Sequence, residues 1–265
     1  MKPGITVRVV TIVMAAIFFF PTIIVAGTSF NKSPLIVFPP KGWSLYWYKE
    51  VFSSGQWTQP LIASLEVGLI AAVIAMVVGT LLGFAAARAR LLPQPVVTAL
   101  AMMPVIVPSV VAGLGFYIVS VHIHYTGNAV ALGLADATLG VPYVFINVIA
   151  ALTGVDPSVE EASRVCGASE PVTLLRVTLP LIMPAALVGA VLAFIGSWDE
   201  VIVAGFMTSP TFRTVPILIY GNVQNGAQPD TSAVGTMVTV VSLLLLGTVA
   251  AVPALRSRRI RRRTA

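Results

Sequence analysis

The chain has 265 residues, of which 57% are hydrophobic and 10% are charged, and its mean hydropathy is +0.94. Ordinary soluble domains carry roughly 25% charged residues, so a soluble globular fold is excluded: a chain of this length cannot cover so much apolar surface in water. Net charge is +6 with a single cysteine, Cys166, which leaves no internal disulfide framework and no multi-cysteine metal site.

A membrane-spanning helix needs about 20 mostly apolar residues. That length divides the chain into six expected spans, 5–26, 61–87, 96–121, 134–152, 181–207 and 233–255. The expected class is all-α, a polytopic membrane protein forming one transmembrane domain over residues 1–265. The first span has a basic start, Lys2 and Arg8, and ends near Ala26-Gly27, as a secretory signal does. Its apolar run is longer than a signal core and further spans follow, so it reads as an uncleaved helix. Residues 28–59 are polar and proline-rich, with Trp43, Tyr46, Trp47 and Tyr48, and read as a short interfacial helix on the outer face; contact with an external partner is the alternative. Glu66, near the outer end of the second span, is read as reaching the interface, with a role in the pathway as the alternative.

Pro104 and Pro108 fall inside the third span and predict a kink or local unwinding. His122 and His124 beyond it read as surface histidines, because a metal site needs further ligands nearby. Asp136, near the start of the fourth span, is expected to cap its helix. The segment 208–232, with Pro210, Pro216 and Pro229, is expected to be partly helical on the outer side.

Six spans place both termini on one side, and basic residues choose it. Lys2, Arg8, Arg88, Arg90, Arg164, Arg176 and the arginines at 256, 258, 259, 261, 262 and 263 share one side, against Lys32, Lys41, Lys49 and Arg213 on the other. The excess of basic residues marks the cytoplasmic face, so both termini are expected inside. The arginine tail reads as a cytoplasmic stop flank, and nucleic acid is not an expected partner. No internal repeat of the kind that marks many secondary transporters stands out.

On that inner side lies 156–180, a polar loop set between apolar runs, carrying Asp156, Glu160, Glu161, Arg164, Glu170 and Arg176. Asp156 followed by Pro157 starts a helix: a side-chain acceptor, then a residue with no N–H to leave unpaired. Gly167 is expected to break it, with Cys166 a small packed residue beside the turn. Glu170-Pro171 opens a second short helix ending at Leu179, and Pro180 begins the next span. Connections between helices usually need only 2–8 residues, so a capped construction of this length reads as a rigid element built to enter a partner's groove.

Glu161-Ala162-Ser163, Gly167 and Val177-Thr178-Leu179-Pro180 resemble the EAA motif of permease subunits in binding-protein-dependent ABC importers: Glu-Ala-Ala, three residues, Gly, nine residues, Ile, any residue, Leu, Pro. Ser163 stands for Ala and Val177 for Ile. The resemblance implies a type I importer permease fold in which Glu160, Glu161, Ala162, Ser163, Gly167, Leu179 and Pro180 belong to a coupling helix docked on an ATP-binding subunit. The chain has no Gly-x-x-x-x-Gly-Lys-Ser/Thr phosphate loop of its own. ATP and Mg²⁺ are therefore expected on that separate subunit, with no cofactor, metal or catalytic residue here.

A second stretch resembles spermidine/putrescine-type permeases, specifically the second membrane subunit of those systems. It carries Asp199-Glu200, Thr214-Val215-Pro216, Ile219-Tyr220, Pro229-Asp230 and Ser232-Ala233. The resemblance implies polyamine import, with two ATP-binding subunits, a second permease and a periplasmic binding protein as partners in the bacterial inner membrane. Relatives with this signature also resemble importers of aminoethylphosphonate and ferric iron; a motor-independent transporter or channel is the remaining alternative. Asp199 and Glu200 lie in a hydrophobic span, where a carboxylate needs a partner or water, and Trp198 beside them offers a ring face to an ammonium group. Two roles fit: Trp198, Asp199 and Glu200 line the substrate pathway, or the acids pin the helix to its neighbours or form a gate, whatever passes.

Overall fold

Apolar length makes the helices, and proline and glycine decide where they bend or stop. The computed structural model describes residues 4–88 and 92–263, with side chains as far as residue 250. In chain order the helices are α1 (Ile5–Ser29), α2 (Tyr46–Ser53), α3 (Thr58–Arg88), α4 (Gln94–Ile106), α5 (Ser109–His122), α6 (Ala129–Thr153), α7 (Pro157–Val165), α8 (Glu170–Thr173), α9 (Leu179–Trp198), α10 (Ile202–Met207), α11 (Val215–Asn225) and α12 (Pro229–Arg263). Among the described residues, α1, α3, α6, the run Glu170–Trp198 and the first part of α12 are each long and apolar enough to cross a membrane. The pair α4 and α5 passes the same test together but is bent by 95°. Lys2, Arg90 and the side chains of the tail arginines, which enter the charge argument, lie outside the described residues.

The chain forms two compact units, residues 1–60 with 218–243 and residues 61–217 with 244–265. In the first, Asn31 organises the segment after α1. Its Nδ2 donates to the Leu35 carbonyl at 3.0 Å, and its Oδ1 accepts from the Lys41 amide at 3.1 Å. Trp47 Nε1 donates to the Asn31 carbonyl at 2.8 Å, so Trp47 is buried, whereas Trp43 and Tyr46 in the same aromatic group are exposed. Only part of that group is free to meet an interface. In the same unit, Trp57 is wholly buried and donates from Nε1 to Asp230 Oδ2 at 2.9 Å. Asp230 also accepts from the Thr231 amide at 2.6 Å, which gives the Pro229-Asp230 step a structural role at the start of α12.

The second unit is centred on α6 and α9. A Cβ added at Gly189 of α9 would lie 2.5 Å from the Val144 Cα of α6, so the two backbones touch where only glycine fits. Val144, Val148, Leu152, Ile182 and Ala186 fill the core beside that contact. The bend between α4 and α5 sits at Val107-Pro108: Val107 is extended, and Pro108, lacking an N–H, opens α5 by accepting from Val111 and Ala112.

Three boundaries depart from expectation. The segment after Gly167 does not close as a short helix at Leu179: α8 runs through a π-helical turn, Leu174–Thr178, directly into α9. A proline inside a helix removes one backbone bond and crowds the carbonyl four residues earlier, and a widened turn just before Pro180 relieves that crowding. The expected span 181–207 is interrupted: α9 stops at Trp198 and α10 resumes at Ile202. The fourth span begins earlier than expected, because Asn128 caps α6 by accepting from the Ala131 amide at 2.9 Å.

Candidate functional site

The loop 156–180 is built from its caps outward. Asp156 accepts from the Ser158 amide at 2.9 Å, and that bond holds its carboxyl below the usual carboxylate range. Pro157 occupies the first turn of α7. At the other end Gly167 adopts φ 89°, and the Gly167 and Ala168 amides return to the Arg164 and Ser163 carbonyls. This paired closure needs a left-handed residue, hence glycine. Cys166, expected to pack beside the turn, is instead exposed.

The two glutamates of α7 part company. Glu160 turns inward, with its side chain 14% exposed, and accepts from Arg88 at 3.2 Å and from Thr178 Oγ1 at 3.0 Å. One carboxylate thus ties α7 to the end of α3 and to the π turn that leads into α9. A second tie joins Ser163 Oγ and Thr173 Oγ1 at 3.1 Å. Glu161 and Ala162 face outward, and Val165 is 87% exposed. No residue of α7 is fully buried, and Pro180 is exposed while Leu179 is half-buried. The helix is held from behind and bare in front.

At the break between α9 and α10, Glu200 acts as a cap. Its Oε1 accepts from the Ile202 and Val203 amides at 2.8 and 2.9 Å, and its Oε2 accepts from Ala204 at 2.8 Å. These are donors that a helix start leaves free. Asp199 is exposed, whereas Trp198 is buried and stacks on Phe194 with ring centroids 5.5 Å apart. One face of the indole is therefore occupied.

Glu200 also lines a cavity of about 270 Å³ between α4, α5, α6 and α9, together with Pro104, Ser109, Tyr143, Ser197 and Asp136. Asp136, expected to cap α6, lies in its interior, is 3% exposed and accepts from Ser197 Oγ at 2.6 Å through Oδ2. Asn128 had already taken the cap. An acid well inside a hydrophobic helix is itself a pointer to function; the later expected helix start at residue 134 hid it. Neither Arg88 nor Thr178 was legible as a partner of Glu160, since both are remote from it in sequence. His122, His124 and Glu66 are exposed. Among the described residues no group of three or more His, Cys, Asp or Glu side chains is placed to hold a metal ion.

Residues 75–262 match the family of binding-protein-dependent transport system inner membrane components. The chain is 30% identical over 234 residues to the spermidine/putrescine transport system permease protein PotC of Haemophilus influenzae, covering 88% of this chain and 91% of that one. It is 29% identical over 239 residues to the putrescine transport system permease protein PotI of Escherichia coli, covering 87% and 85%. A bacterial alginate ABC transporter, crystallised with an alginate pentasaccharide-bound periplasmic protein, shares the fold at a TM-score of 0.68 and 16% identity, over 92% of this chain and 91% of that one.

Proposed function

We propose, since the chain belongs to the family of binding-protein-dependent transport system inner membrane components, that it imports polyamines and couples their passage to ATP hydrolysis on a separate subunit. Family membership makes the chain a multi-pass inner-membrane permease subunit of an ABC importer. The substrate reading rests on similarity to PotC and PotI over most of the chain. The coupling reading rests on one observation: α7 is anchored through Glu160 yet leaves Glu161, Ala162, Arg164 and Val165 exposed.

In this reading Glu161, Ala162, Ser163 and Gly167 present α7 to a cleft of the ATP-binding subunit, while Glu160, Leu179 and Pro180 carry its movement into the membrane helices. Two ATP-binding subunits, which hold ATP and Mg²⁺, a second permease and a periplasmic binding protein complete the importer. The loop and both termini face the cytoplasm, as the basic residues favour. ATP binding and hydrolysis then shift the balance between outward-open and inward-open states, each favoured by a different nucleotide state of the motor. Asp199, exposed at the α9–α10 break, meets the polyamine, with Trp198 and Glu200 shaping the same stretch of the path.

The test is reconstitution of the whole importer in proteoliposomes with radiolabelled spermidine and putrescine. ATP-dependent uptake that requires the binding protein is expected. Uptake by this chain without the ATP-binding subunit would replace the reading with a motor-independent transporter. Uptake of aminoethylphosphonate or ferric iron in place of polyamines would replace the substrate alone.

A further inference from the structure

Asp136 has a carboxylate oxygen with no use inside the protein. Oδ2 is satisfied by Ser197, but Oδ1 is buried and has no hydrogen-bond partner among the described residues. Buried polar atoms in folded proteins are almost always paired, and an acid within a membrane span is expensive unless something meets it. The exception at Asp136 borders the cavity between α4, α5, α6 and α9 rather than packed side chains.

That cavity has the chemistry of a cation subsite. Two acids, Asp136 and Glu200, contribute to its wall, and among the described residues no lysine, arginine or histidine does. Glu200 is committed to three backbone N–H groups of α10, whereas Asp136 Oδ1 accepts no bond among the described residues and is open to an incoming donor. Ser109 and Tyr143 add hydroxyls to the wall, and Leu139 adds an apolar surface for a methylene chain. The space, about 270 Å³, accommodates an ammonium head with a few carbons behind it. Pro104 of α4 and Val107 at the bend between α4 and α5 contribute to its lining.

We propose that this cavity is a subsite for an ammonium group of the transported solute, with Asp136 as its counter-ion. The proposal rests on the polyamine reading and adds a residue to it, in a place separate from the exposed Asp199. An ammonium group supplies what Oδ1 lacks, a donor carrying positive charge, in surroundings where such a bond is stronger than in water.

The experiment uses the complete importer in proteoliposomes and measures polyamine moved per ATP hydrolysed, with the binding protein saturating. Asp136→Asn keeps the shape and an acceptor for Ser197 but removes the charge. Uptake per ATP is expected to fall about tenfold while binding-protein-stimulated ATP hydrolysis persists, and Asp136→Glu is expected to restore at least part of it. Unchanged uptake per ATP in Asp136→Asn overturns the subsite while leaving the substrate reading intact. Parallel loss of uptake and hydrolysis in both variants also overturns it, since that is the mark of a packing role. Absence of polyamine uptake by the wild-type importer overturns the substrate reading, and the subsite with it.

Discussion

Arg88 at the end of α3 donates to Glu160 of α7 at 3.2 Å across 72 residues of sequence, and Thr178 donates to the same carboxylate at 3.0 Å. A helix with no fully buried residue is thereby tied to the end of α3 and to the turn ahead of α9. In the coupling proposed above, a push on α7 would reach α3 through Arg88 and the turn ahead of α9 through Thr178.

Glu160→Gln keeps the outline of the side chain but loses the ion pair. Arg88 is 30% exposed and Glu160 14%, so solvent screens the pair, and the expected cost is about 1 kcal/mol. The functional effect should be larger: less solute moved per ATP, with the ATP-binding subunit still bound. A double-mutant cycle with Arg88→Ala should show the two losses to be non-additive; additive losses would remove the link.

Glu161→Lys reverses a charge on the exposed side of α7, where no internal bond depends on it. The variant should insert and fold normally, lose copurification with the ATP-binding subunit, and lose ATP-driven uptake. Normal uptake by this variant would count against α7 as the docking element.

Gly189→Leu places a side chain where the Val144 backbone already lies, 2.5 Å from the first added carbon. α6 and α9 must separate, at a cost of about 1–3 kcal/mol or more. The measurement is the yield of monodisperse protein in detergent and its melting temperature, both of which should drop. Gly247→Leu, at a position with open space around it, is the matched control.

Trp57→Phe removes the indole donor and leaves Asp230 Oδ2 buried without it. The expected destabilisation is about 1–3 kcal/mol. Pairing it with Asp230→Asn should recover part of the loss, since an uncharged side chain is less expensive to leave unpaired there. Thermal denaturation of both variants reads this directly.

Glu200→Gln separates capping from substrate contact. An amide has one oxygen, and it cannot receive the three amides that Glu200 now holds. The start of α10 should loosen by about 0.5–2 kcal/mol, visible as faster hydrogen exchange at Ile202–Ala204. Asp199→Asn should leave that exchange unchanged and lower uptake instead.

The membrane class, the apolar runs and the capped polar loop 156–180 were all legible in order along the chain, because each depends on neighbours close in sequence. A bilayer needs length and hydropathy, a cap needs an acceptor ahead of a helix, and the turn after α7 needs a glycine at position 167. Pro180 was legible as a boundary, yet its effect was not. Whether a proline ends a helix or is absorbed by a wider turn depends on what holds the helix on either side. Likewise Asp199-Glu200 stood out as adjacent acids, but only the α9–α10 break shows that one is a cap and the other is exposed.

By itself the sequence determined that this protein crosses a membrane as helices and carries a stiff polar element between its fourth and fifth apolar runs. Those properties follow from length, hydropathy and local backbone chemistry. Tertiary structure alone decided that Glu160 faces inward to Arg88 and Thr178 while Glu161 faces out. It alone brought Asp136 to Ser197 beside a cavity, across 61 residues. The physical reason is that a side chain's partner is set by which helices touch and by their rotation. That rotation depends on contacts as small as the one glycine at 189 permits.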